Sequence, residues 1–167
     1  MSGSIHNQVK PLALYYPQFH EFEENNQFWG KGFTEWDNLN SWKPFFDGHK
    51  IRTPVWGQYN LLDIEVRRRQ SELARSMGIY GFIYYHYWFS HAAKNKVMYE
   101  VIEKMLQDNQ PDMPFSLMWA NEPWTKKWDG LEHHYLIRQE YSDEEIWKKH
   151  IKYLIKFFKH KNYIKIN

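Results

Sequence analysis

The sequence predicts an α/β fold built on a parallel sheet, and three observations predict it. Short apolar runs alternate with amphipathic stretches along the chain, the pattern that places a helix between successive parallel strands. Pro and Gly punctuate the ends of these stretches. Polar and aromatic residues gather after each apolar run, where the chemistry of parallel α/β folds sits, beyond the carboxyl ends of the strands.

Residues 12–16 (Leu-Ala-Leu-Tyr-Tyr) read as a buried strand stopped by Pro17. Residues 17–60 hold no sustained period and read as a long loop region with room for short helices; its aromatic content argues against disorder. Asp63 is placed as a helix N-cap. Val66, Gln70, Leu73, Ala74 and Met77 follow at helical spacing, and Gly78 stands at the C-terminal position. Residues 81–85 read as the second strand, with room to extend to Phe89. Val97, Met98, Val101, Ile102, Met105 and Leu106 predict a second amphipathic helix ending before Pro111 and Pro114. Residues 115–119 read as the third strand, followed by a loop rich in Trp, Asn and Gly. Ser142 with Glu145 forms a capping-box signature for a third helix, with a stripe at Trp147, Ile151, Leu154, Ile155 and Phe158. Residues 163–166 read as the entry to a fourth strand.

Composition removes several classes. The formal net charge is +2, which disfavours a broad nucleic-acid surface. Residues 142–167 are Lys-rich and read as a solvated basic helix face. There is no Cys, hence no disulfide scaffold, thiol nucleophile or Cys-type zinc site. Mean hydropathy is −0.80 and no apolar run approaches the roughly 18 residues of a membrane helix. The first residues lack a basic start and an apolar stretch, so a cytoplasmic location is expected, with residues 1–9 a flexible N-terminus. Gly30-Lys31-Gly32 has no strand before it, and no cofactor is expected. His133 and His134, adjacent in a strand-like segment, point to opposite faces, and no metal site is expected. No Gly-x-Ser-x-Gly elbow is present.

Aromatics make up 19% of the chain and cluster over residues 15–59, 80–89 and 119–128, mostly beside Gly, Pro, Asn, His and Gln rather than beside aliphatics. Such a mixture suits a cleft that offers flat faces and hydrogen-bonding groups together, and sugar rings are one ligand type that needs both. Candidate contacts follow each strand: Tyr16, Gln18 and His20; His86, Tyr87 and Trp88; Trp119, Asn121, Glu122 and Trp124. The long loop adds Trp29, Glu35 and Trp36. His86 reads equally as a buried structural histidine, Glu35 equally as a helix-capping or loop-holding group, and Asp129 as a turn residue. Glycosyl chemistry needs two carboxyls, and Glu35 and Glu122 are the pair the sequence nominates.

Four segments then carry a family resemblance: Leu14-Tyr15-Tyr16-Pro17-Gln18-Phe19-His20; Trp29-Gly30-Lys31-Gly32-Phe33-Thr34-Glu35-Trp36; Gly81 through Phe89; and Trp119-Ala120-Asn121-Glu122-Pro123-Trp124-Thr125 with Trp128-Asp129-Gly130. Together they resemble the WbsX family of glycosyltransferases of polysaccharide and O-antigen assembly, from about residue 10 onward. That family is similar in turn to glycoside hydrolase family 99, the endo-mannosidases. The resemblance implies the N-terminal part of a (β/α)8 barrel over residues 10–167, with three βα units and the start of a fourth strand, and a glycan as partner. It also implies a late Asn-Glu-Trp-x-Glu-Gly motif bearing the catalytic glutamates. This sequence has none; its only Asn-Glu is Asn121-Glu122, followed by Pro123. Glu35 and Glu122 therefore inherit at most a supporting or substrate-contacting role. The alternatives are a fragment of an endo-acting glycoside hydrolase, a non-catalytic glycan-binding remnant, or a domain whose aromatic face meets protein. A full barrel takes about 250 residues, so a chain of 167 is expected to be a fragment, an oligomer that completes the sheet, or a marginal fold.

Overall fold

The computed structural model of the protein describes residues 9–92, 94–126, 131–141 and 143–166, with residues 131–133 described by backbone alone. The expected flexible N-terminus, apart from Val9, lies outside the described residues, as do Trp128, Asp129, Gly130 and Ser142. In chain order the elements are β1 (Leu12–Tyr15), α1 (Glu23–Trp29), α2 (Glu35–Ser41), α3 (Ile64–Ser76), β2 (Gly81–Trp88), β3 (Lys96–Val97), α4 (Glu100–Asp108), β4 (Phe115–Trp119), β5 (Trp124–Lys126), β6 (Leu131–Ile137) and α5 (Glu144–Phe158). This is a mixed α/β fold.

Strands β1, β2 and β4 form a parallel sheet with β2 in the centre, Leu14 opposite Ile83 and Tyr84 opposite Leu117. The chain returns beside β4 after α5. Phe115 N–H donates to Asn162 O at 3.0 Å, and Ile164 N–H donates to Phe115 O at 2.8 Å. The resulting parallel bridge joins Phe115 and Tyr163, where the sequence predicts another strand to begin. At the sheet's far end β3 pairs antiparallel with β2 through Tyr87 and Val97.

Alternation along each strand divides the sheet. Ala13 and Tyr15, Phe82 and Tyr84, and Phe115 and Leu117 meet the helices, where Ile102, Met105, Tyr153 and Phe157 complete one core. Each wholly buried Phe, Ile or Met among them contributes about 1.5–3 kcal/mol. The opposite parity carries Leu14 (62% exposed), Ile83 and Tyr85 to the other face. Gly81 permits the β2–β4 approach, since a Cβ there would stand 2.4 Å from Pro114 O.

Local chemistry explains the helices. Asp63 caps α3 by accepting from Glu65 N–H at 2.9 Å, and Gly78 follows the helix with φ +80°. Arg67, 1% exposed, donates to Leu61 O and Leu62 O at 3.0 and 2.8 Å and pairs with Asp108 at the end of α4. Asp143 caps α5 by accepting from Ile146 N–H at 2.9 Å.

Three expectations are corrected. The second helix begins at Glu100, not Val97, because Asn95 and Met98 take left-handed φ angles of 56° and 59° that break the helix period. The segment after β4 is not a loop throughout; it contains the β5–β6 hairpin, whose register shifts obscure alternation in the sequence. Helix α5 buries His150, Tyr153 and Phe157, while Trp147 and Ile151 are over half exposed. Aromatic partners on β2 draw the His150–Tyr153 side inward.

A double cleft at the strand ends

Two clefts flank Tyr16: the first lies on the open face of β1 and β2 beside the residues that follow β4, and the second on the segment that follows β1. The first, about 570 Å³, is lined by Tyr16, Tyr85, Tyr87, Glu122, Trp124 and Thr125, with Leu14 and Pro123. Its Trp124 is buried and packed edge-on against Phe28 and Trp29, with ring centroids 5.9 and 5.6 Å away. Thr125 Oγ1 is buried and finds no hydrogen-bond partner among the described residues. Glu122 stands exposed at this cleft.

The second cleft, about 510 Å³, is lined by Tyr16, Gln18, Glu35, Trp36, Leu39 and Trp42, with Phe19, Asn38 and Ser41. Both volumes fall in the range of small-molecule sites. Trp36 is fixed by donating its Nε1–H to Tyr59 O at 2.8 Å and by packing on Phe19 at 4.6 Å between centroids. Glu35 is the first residue of α2. Thr34 N–H donates to Asp37 Oδ2 at 2.7 Å, which sets the first helical turn and hence the Glu35 side chain. The residue is 9% exposed. Its Oε1 accepts from Asn25 Nδ2 at 3.2 Å, and its Oε2 is buried with no hydrogen bond of good geometry among the described residues. Burial pushes the carboxyl up to about 7, against the pull of its own backbone N–H, Asn25 and Gln18, with Asp37 adding a smaller upward push.

Tyr16 is a wall of both clefts. Its hydroxyl interacts with that of Tyr87, and burial holds both well above the ordinary tyrosine range. The Glu35 charge acts on Tyr16 and the Glu122 charge on Tyr87.

Of the residues nominated from sequence, Tyr16, Tyr87, Glu122 and Trp124 meet in the first cleft, and Tyr16, Gln18, Glu35 and Trp36 in the second. His20 is buried against Phe22, with Nε2 3.5 Å from Glu100 Oε2. Trp29 stacks on Phe33 and backs Trp124. His86 and Trp88 face the helices. The Nε2 atoms of His86 and His150 lie 2.8 Å apart, and the His150 ring stacks on Trp88 at 4.6 Å. Burial lowers both histidines, His86 to about 3 with help from His150 and Lys96, and His150 to about 4. Trp119 meets His150 and Tyr141 edge-on, and the exposed Asn121 accepts the Tyr141 hydroxyl at its carbonyl, 2.9 Å away. Leu14, Trp42, Tyr85, Thr125 and the supporting Asn25 were not nominated. Strand parity marks Leu14 and Tyr85 as partners of Tyr16 and Tyr87; nothing local marks Thr125 or Asn25. Among the described residues no group of three or more His, Cys, Asp or Glu is placed to hold a metal ion.

The described residues thus place an aromatic double cleft with carboxyls at one end of an α/β fold. The profile described as glycosyltransferase WbsX matches residues 11–167, and the chain belongs to that family. It is 42% identical over 137 residues to the uncharacterized protein WxcX of Xanthomonas campestris pv. campestris, from strain B100 and from strain ATCC 33913 alike. The match takes in 80% of this chain and 19% of each relative's length. Among solved structures it resembles the GH99 endo-α-mannosidase of Bacteroides thetaiotaomicron, with a TM-score of 0.51 at 13% identity over 94% of this chain and 42% of that one. The same enzyme in complex with bis-tris propane gives a TM-score of 0.50 at 12% identity over 94% of this chain and 39% of that one.

Proposed function

We propose that the chain forms the N-terminal part of a (β/α)8 barrel, that its double cleft binds a glycan, and that this binding serves glycosyl transfer in the assembly of a cell-surface polysaccharide, in the cytoplasm. The observation that carries the reading is the placement of Glu35 and Glu122 in two aromatic clefts joined at Tyr16. Sugar C–H faces suit Trp36, Trp42 and Trp124, and hydroxyls suit Gln18, Thr125 and the two carboxyls. A carboxyl that holds its proton near neutrality can donate to a sugar or leaving-group oxygen, and an ionised one can accept. Glu35 is suited to donate, and Glu122 lines the open cleft on the other side of Tyr16. The parallel bridge at Tyr163 supports continuation of the sheet, by further chain or by a second copy.

A glycan array followed by titration calorimetry tests the reading. A hit is expected that weakens at least tenfold in Trp42→Ala and in Glu122→Gln, with Tm nearly unchanged because both residues are exposed. No hit, or a hit indifferent to both substitutions, refutes it.

A further inference from the structure

Outside the clefts, the most exposed apolar group lies on the connection between α2 and α3. Phe45 is 89% exposed, Phe46 68% and Val55 99%. The tip is built rather than slack. Phe45 N–H donates to His49 Nδ1 at 3.1 Å, and His49 N–H donates to Phe46 O at 3.0 Å. The His49 ring stacks on both phenylalanines, at 5.7 Å and 15° from Phe45 and 5.1 Å and 16° from Phe46. Gly48 supplies the φ of +86° that closes the turn. The same segment, residues 43–55, carries the exposed Lys43, Lys50 and Arg52 against the single acid Asp47.

We propose that residues 43–55 are a docking tip for an anionic lipid bilayer. Phe45 and Phe46 line neither cleft and stand largely exposed, whereas small-molecule sites are concave and enclose their ligand, so a free sugar is a poor fit here. A stable protein interface needs about 800 Å² from each partner and 20–30 residues, far more than three apolar side chains offer. A bilayer interface needs no shape complement. It accepts aromatic side chains at headgroup depth and attracts the surrounding bases. This inference does not depend on the glycan reading.

The test is co-sedimentation of the protein with vesicles of phosphatidylcholine, with and without about a quarter phosphatidylserine, at low and physiological salt. Binding to the phosphatidylserine vesicles is expected, weakened by salt. Each basic residue replaced by Ser among Lys43, Lys50 and Arg52 should lower the partition about fivefold. Phe45→Ser with Phe46→Ser should lower it at least tenfold with Tm unchanged, since neither side chain is in a core cluster. Absence of binding at low salt, equal binding to neutral vesicles, or binding indifferent to the Phe pair overturns the proposal. So does self-association or capture by an acidic protein that the Phe pair abolishes while vesicle binding is nil.

Discussion

Replacing Glu35 by Gln removes one ionisation and keeps the shape and the Asn25 contact. The native carboxyl rises from its ordinary 4.5 to about 7 on burial. At 1.36 kcal/mol per pH unit, that displacement is worth about 3 kcal/mol. The sign follows from proton counting. Between pH 4.5 and 7 the folded state holds the Glu35 proton and the unfolded state has released it, so the native state loses stability as pH rises. The buried His86–His150 pair acts in the opposite sense. The folded state refuses protons that the unfolded state takes below 6.5, so stability falls as pH drops toward 4 and 3. The two effects overlap, and a titration of the wild type alone would mix them. The difference in unfolding free energy between wild type and Glu35→Gln isolates the carboxyl. Urea denaturation at about pH 5 and about pH 8 should show the variant gaining about 2–3 kcal/mol on the wild type between them. A difference that is flat with pH, or of opposite sign, would refute the assignment of Glu35 as a buried acid.

Further tests follow from the packing. In the Glu35→Gln background, most of the acid limb between pH 6.5 and 4 should disappear when His86 and His150 are both replaced by Leu, with His160, also lowered by burial, leaving a remainder; circular dichroism melts across that range will show whether it persists. Arg67→Met strands Asp108 and leaves two carbonyls of the α3 approach without their donor, and should cost about 3–5 kcal/mol; a change under about 1 kcal/mol would mean that water replaces the guanidinium without loss. Gly81→Ala forces a methyl group against Pro114 O and should lower stability by about 1–3 kcal/mol in a chemical melt, whereas an unchanged midpoint would show that β2 and β4 can part there at no cost.

The frame was legible in the sequence because its signals are local. Apolar runs bounded by Pro, the Asp63 cap and Gly78 each fix an element without reference to distant residues. The orientation of the site residues was not, for a specific reason. His86, Tyr87 and Trp88 are consecutive on one strand, so a shared rim cannot take all three. Tyr87 faces the cleft, while His86 and Trp88 meet α5. The α5 stripe was misplaced for a related reason. Its buried side carries His150 and Tyr153, which look polar until their aromatic partners on β2 are known. The second cleft depends on the α1–α2 region, where Asn25 reaches Glu35 across a turn with no repeating pattern to announce it.

Tyr16 stands between two compartments as a single partition. A smaller residue there would widen both at once and merge them, and a bulkier one would narrow both. Ligand preference on the two sides therefore cannot be retuned separately at this position. Variation that adapts one side alone has to enter through residues belonging to that side, such as Trp42 for one and Thr125 for the other, while position 16 sets how far apart two occupants must sit.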